Sequence, residues 1–139
     1  MTKMSVEELQ ELIDTGLPLS TYFNIKVEKV GQGKSTMRLV YKPDLVRPGG
    51  TIAGPALMAL ADAVMYGVVL TAIGRVELAV TTNLNINFLR KPANTDIIAE
   101  GSMLKLGKRL AVCEVSLTSE NDDELVAHVT GTYSIPPRG

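Results

Sequence analysis

The stretch Arg47–Ile73, RPGGTIAGPALMALADAVMYGVVLTAI, decides the fold. It reads as a glycine-rich loop feeding one long apolar helix. Gly54 and Pro55 mark the start, because proline is tolerated in the first helical turn, where its missing N–H is not needed. Gly74 marks the stop, as a residue free to take the left-handed cap. About 20 residues lie between, or roughly 30 Å of helix. Apolar side chains occupy every face, and a helix apolar all round is a buried one. A single ionisable side chain, Asp62, sits in its midst. A carboxylate there loses hydration and has to find compensating partners.

Working outward, the segment after the helix, Glu77 to Arg90, has the period of a strand. Its alternation predicts Thr82, Leu84, Ile86 and Phe88 on the helix side, with Thr81, Asn83, Asn85 and Asn87 on the other. Lys91-Pro92-Ala93-Asn94 breaks it. Asp96–Leu104 and Arg109–Thr118 read as the next two strands around a turn at Gly107, and Leu125 to Ile135 as the last. Before the helix, Ile25 to Tyr41 alternates on both sides of Gly31-Gln32-Gly33, which is a hairpin. Ser5 and Glu8 form a capping box for a short helix over Val6–Thr15, buried through Leu9, Leu12 and Ile13.

The chain has 139 residues, one domain of ordinary size spanning 1–139. A net charge of −1 gives no general basic character for nucleic acid. The one cysteine, Cys113, excludes an internal disulfide, and the polar start MTKMSVEELQ carries no signal-peptide core. A reducing cytoplasm is the expected setting. Ala56–Ile73 has the minimum length for a membrane span, but Asp62 near its middle costs several kcal/mol in a bilayer, so no membrane is expected. With one histidine and one cysteine there is no Ser-His-Asp set, no Cys-His pair and no metal site, and no cofactor is called for. His128 alternates with Thr130 and Thr132 on a polar strand face and is expected to be exposed.

The order is helix, two strands, long helix, four strands: an α+β chain in which a curved antiparallel sheet of about six strands wraps one central helix. One sheet covers one side of a helix. A helix apolar on all sides therefore asks for further cover, and a second subunit supplies it.

This architecture resembles the hotdog fold. RPGGTIAGPALMALAD resembles the loop and helix of the phenylacetate-pathway (PaaI-type) acyl-CoA thioesterases, in the 4-hydroxybenzoyl-CoA thioesterase superfamily, written N-x-x-G-x-x-H-G-G followed by an acid on the helix. VTTNLNINFLRKP resembles that family's next strand, and GKRLAVCEV with ELVAHVTGTY its last two. The resemblance implies hydrolysis of an acyl- or aroyl-CoA thioester by a cytoplasmic homodimer or dimer of dimers. It places Asp62 on the catalytic carboxylate and Gly54 on the glycine whose N–H polarises the thioester carbonyl. It places Thr81 on a hydroxyl that holds the attacking water from the partner chain, and Gly50 on the loop glycine. Three motif positions differ: Arg47 stands for the Asn, Ala53 for the His and Pro55 for the second glycine. A non-catalytic acyl-CoA or lipid-binding hotdog domain is the alternative these changes leave open.

Thioester hydrolysis needs a nucleophile and a sink for oxyanion charge. A helix start supplies the sink through unpaired N–H groups. Pro55 has no N–H, which leaves Gly54 and Ala56. Asp62 lies about 12 Å along the helix from Gly54, so one helix cannot bring both to one carbonyl, whereas antiparallel helices of a dimer can. As a structural group, Asp62 would instead cap a partner backbone or pair with Arg47 or Arg75 across an interface. Arg47 could also take a substrate carboxylate or phosphate. Met58, Met65 and Tyr66 flank Asp62 at helical spacing as candidate acyl-pocket residues, with Thr82 and Asn83 beside Thr81. Arg90, Lys91, Lys108 and Arg109, at what read as neighbouring strand ends, are candidates for the coenzyme A phosphates.

Overall fold

The structure, a computed structural model, describes residues 2–76 and 78–137. Its centre is helix α3, Gly54–Ile73, which starts after Ala53 and ends where Gly74, at φ 92°, donates its N–H to the Leu70 carbonyl. The helix lies across a six-stranded antiparallel sheet, β1 Ile25–Gly31, β2 Lys34–Leu39, β5 Val80–Phe88, β6 Ile97–Leu106, β7 Leu110–Ser119 and β8 Leu125–Ser134, in the order β1-β2-β6-β7-β8-β5. This is the hotdog arrangement the pattern predicts, with a small addition. The loop before α3 holds a two-stranded ladder, β3 Val46–Arg47 with β4 Thr51–Ile52, pinched by Gly49 and Gly50 at positive φ.

Glycines in the sheet let the helix come close. A Cβ on Gly101 of β6 would stand 2.5 Å from Val64, and one on Gly131 of β8 would stand 2.5 Å from the Met65 sulfur. Helix α1, Val6–Gly16, closes the other side. Its capping box is formed as expected between Ser5 and Glu8. Leu9, Leu12 and Ile13 are buried, each worth about 2 kcal/mol relative to exposure. Gln10 bridges to β1 through the Ile25 carbonyl and the Val27 N–H, and the Lys3 N–H reaches the Thr71 carbonyl of α3. A five-residue helix, α2 Pro18–Tyr22, continues this layer.

That layer corrects one inference from the sequence. The far side of the apolar helix does not await a second subunit along its whole length, because α1 covers the C-terminal half from within the chain. Only the N-terminal half is open, at Pro55, Met58 and Asp62. The helix that is long and apolar enough for a membrane is thus the protein's own core helix. On the sheet face away from the helix, Arg38 of β2 gathers Glu28 of β1 with Asp96 and Glu120 at the adjoining ends of β6 and β7, at 2.7, 2.9 and 2.6 Å. Those carboxylates hold the guanidinium above its usual pKa.

Two strands, β1 and β5, are sheet edges. The β5 edge carries large apolar side chains in the open, Val80 at 57% and Phe88 at 52%.

Candidate active site

Asp62 is half-buried on the open side of α3. Two hydroxyls hold it: Thr81 donates to Oδ1 at 2.6 Å and Tyr133 to the same oxygen at 3.0 Å. The Tyr133 phenol also lies 3.1 Å from the Asp62 backbone carbonyl. Both side-chain bonds end on Oδ1, and no hydrogen bond among the described residues uses Oδ2. Burial first, and then the adjacent Asp62 charge, push the Tyr133 phenol well above the usual tyrosine range. It therefore stays a donor across the physiological range. The Tyr66 ring packs 6.3 Å from that of Tyr133, backing it.

Thr81 reaches Asp62 because β5 is irregular. The register against β8 slips between Thr81 and Asn83, a β-bulge that puts Thr81 on the same side as Leu84. This corrects the strict alternation read from the sequence, which set Thr81 on the far face and Thr82 on the helix side. Thr82 is exposed and donates to the Thr132 carbonyl at 3.2 Å, while Asn83 is exposed beyond the bulge. Within its own chain Thr81 thus bonds Asp62 directly.

Tyr133 escaped the sequence reading as a site residue. The signal was present: a tyrosine on the core face of the last strand needs a partner for its hydroxyl, and Asp62 was the one acid in the apolar helix.

Two apolar hollows meet at Asp62. One, of about 340 Å³, is walled by Ala59, Ala63, Tyr66, Ala79 and Thr81 with residues of α2. The other, of about 550 Å³, runs along Pro55, Met58, Ala59 and Leu84. Tyr66 and Met58 thus stand where the helical spacing put them. Met65 does not: it is fully buried with its sulfur against Gly131, a core residue facing the sheet.

Gly54 lines a separate cavity of about 410 Å³ with Arg47, Leu57, Phe88, Arg90 and Lys91. The Phe88 ring lies where a Gly54 Cβ would project, 3.3 Å away, so glycine permits that contact. At this helix start the Ala53 N–H bonds the Leu45 carbonyl at 2.7 Å, and the Ala56 N–H bonds the Ala53 carbonyl at 3.1 Å. With Pro55 lacking a donor, Gly54 alone among these four offers a free N–H, and Ala56 drops out of the expected pair. Gly50 sits at the tip of the preceding turn, its N–H on the Arg47 carbonyl. Within one chain Arg47 is exposed at the other cavity, away from Asp62.

The four cationic candidates do not form one cluster within a chain. Leu110 and Val80 both face Ser134, whereas Phe88 faces Ala127. Lys108 and Arg109 therefore lie at one end of the sheet and Arg90 and Lys91 at the other, roughly 23 Å apart at 3.3 Å per residue. Arg90 also bonds Glu124 of the acidic turn. His128 is half-exposed, with Nε2 3.8 Å from Glu114.

The geometry has clear relatives. The thioesterase superfamily matches residues 49–126, from the glycine turn through the helix and into β8. A solved thioesterase-named protein from Silicibacter superposes with a TM-score of 0.88 at 39% identity, covering 99% of this chain and 95% of its own. An esterase-named protein of Thermoplasma acidophilum is 31% identical over 79% of this chain and 82% of its own. A mutant of the phenylacetic acid degradation protein PaaI from Thermus thermophilus shares 25% identity with a TM-score of 0.76, over 86% of this chain and 99% of its own. The hotdog scaffold and these matches place the chain in the thioesterase superfamily, as a thioester hydrolase.

Proposed function

We propose that the chain hydrolyses an acyl- or aroyl-CoA thioester to the free acid and coenzyme A, with Asp62 attacking or activating water and a partner's Gly54 N–H receiving the oxyanion. The observation that carries this reading is the way Asp62 is held. Thr81 and Tyr133 fix Oδ1 beside an apolar hollow, and Oδ2 keeps its lone pairs for a water or a carbonyl carbon. As general base, Asp62 takes a proton from water while the new C–O bond forms. The carbonyl electrons move onto oxygen at Gly54, and their return expels the thiolate of coenzyme A.

Asp62 and the free Gly54 N–H line separate cavities of one chain, so the reaction needs two. The β5 edge supplies the joint. Thr81 touches Asp62 near one end of this strand, and Phe88 touches Gly54 at the other. Antiparallel pairing of two β5 strands about Leu84, the strand's midpoint, sets Thr81 within one residue of the partner's Phe88. Each Asp62 then approaches the other chain's helix start. The same pairing brings the partner's Arg90 and Lys91 to the sheet end that holds Lys108 and Arg109. The two basic groups, far apart in one chain, can then meet one nucleotide's phosphates together. Arg47 beside Gly54 is placed to take a further phosphate or carboxylate. Exposed Leu104, Leu106 and Leu110 leave a second apolar surface for a dimer of dimers.

The test is thiol release from a panel of acyl- and aroyl-CoAs, with light scattering after size exclusion to count subunits. Wild type releases thiol as a dimer or larger assembly, and Asp62→Asn loses at least a hundredfold in turnover with the assembly intact. Full activity in Asp62→Asn, or in a monomer, overturns the mechanism. Binding of the panel without thiol release overturns hydrolysis in favour of a non-catalytic acyl-CoA-binding domain.

A further inference from the structure

Ser20 lines the cavity on the α2 side of Asp62, and the chemistry above does not use its hydroxyl. Ser20, in α2, is only 3% exposed, and its Oγ is buried with no hydrogen-bond partner. A serine in a helix ordinarily bonds back to a carbonyl one turn earlier or turns to solvent; here the Ser20 N–H bonds Leu17, but the hydroxyl bonds nothing. A buried hydroxyl left unpaired is a standing penalty that a ligand can relieve. Ser35 is the other such hydroxyl among the described residues, but it packs against α3 at Gly67 and lines none of the cavities described above. Ser20 lines the same hollow as Asp62.

The rest of that wall says what the hydroxyl can meet. Leu17, Ile25, Ala63 and Ala79 are apolar, and no cation lines the cavity. A second carboxylate would be buried there unpaired beside Asp62, which disfavours a dicarboxylic acyl group. At about 340 Å³ the hollow has room for a short acyl chain. Ser20 also lies outside residues 49–126, in the part of the chain on which the family match is silent.

We propose that Ser20 is a specificity residue, its hydroxyl pairing with a neutral hydrogen-bonding substituent, a hydroxyl or a carbonyl, at the far end of a small acyl group seated between α2 and α3. This rests on the hydrolase reading of Asp62, and the experiment separates the two. Wild type and Ser20→Ala are compared on hexanoyl-CoA, omega-hydroxyhexanoyl-CoA and adipoyl-CoA. Wild type favours the hydroxylated chain over the plain one by about tenfold in kcat/KM, the value of one neutral hydrogen bond. Ser20→Ala, which fits the same space, erases that preference, and adipoyl-CoA is the poorest substrate of both. An unchanged ratio in Ser20→Ala overturns the assignment. If neither these three nor any member of the acyl- and aroyl-CoA panel is cleaved, the hydrolase reading fails, and Ser20 is judged by binding. The free amides of hexanoic and omega-hydroxyhexanoic acid are then compared by ligand-observed NMR. Tighter binding of the hydroxylated amide that vanishes in Ser20→Ala sustains the role; equal binding of both by wild type ends it.

Discussion

The two halves of α3 are equally apolar, yet the fold treats them differently. From Ala63 to Thr71 every residue is buried, clasped between the glycines of β6 and β8 and the leucines of α1. From Pro55 to Asp62 one side stays open, with Met58 at 41% exposure and Asp62 half-buried between two hollows. The first half is packing and the second is chemistry. A helix can serve both because cover is delivered by other elements, and α1 is too short to reach its start. The lesson concerns cost: a carboxylate is tolerable in such a helix only where it stays in reach of water and of hydroxyl donors.

Substitutions on the two halves should then fail in different ways. The largest effect belongs to the open half. Asp62→Asn is expected to lower turnover by 10²–10⁴-fold while leaving the melting temperature unchanged or raised, since a half-buried charge is removed. A drop in stability without a drop in rate would erase the contrast. On the closed half, Gly101→Ala drives a Cβ into Val64 and Val68, β-branched side chains with little rotamer freedom in a helix. It should cost about 1–3 kcal/mol in urea unfolding, with the rate per folded molecule unaltered; a changed rate would show the halves to be coupled.

Smaller effects sharpen the picture. Tyr133→Phe removes one of two donors to Asp62 Oδ1 and should cut kcat/KM roughly tenfold while costing about 1.5–3 kcal/mol of stability, the worth of a hydrogen bond to a charged group. If the rate holds, Thr81 alone positions the acid. Least visible at neutral pH is Cys113, on the sheet face under the helix, whose thiol burial pushes up to about 12 from 9.0. The unfolded chain sheds this proton first, so stability contributed by the buried thiol is complete below pH 9.0 and lost as pH climbs to about 12. Cys113→Ala should flatten that alkaline decline in thermal unfolding, and an identical slope in both proteins would show that other groups set it.

Much of this molecule was legible before folding. The start and stop of α3, the capping box of α1, the hairpin at Gly31 to Gly33 and the apolar sides of most strands all follow from local periodicity and turn chemistry, which short stretches of chain carry in themselves. Asp62 was conspicuous for the same reason, an acid amid a run of apolar residues. What the chain could not announce were facts of register and cover. The bulge that turns Thr81 toward Asp62, the reach of Tyr133 from β8, the Phe88 ring over Gly54 and the separation of two basic groups by the length of β8 each depend on how distant strands align. Period-two patterning fixes which residues share a face, but a one-residue slip reverses that choice locally, and no neighbour in sequence records it. Nor could composition tell which half of α3 would be hidden, because that was decided by the length and placement of α1. Sequence determined the elements and the one informative acid; the tertiary structure alone decided what touches that acid, because contact is set by long-range packing.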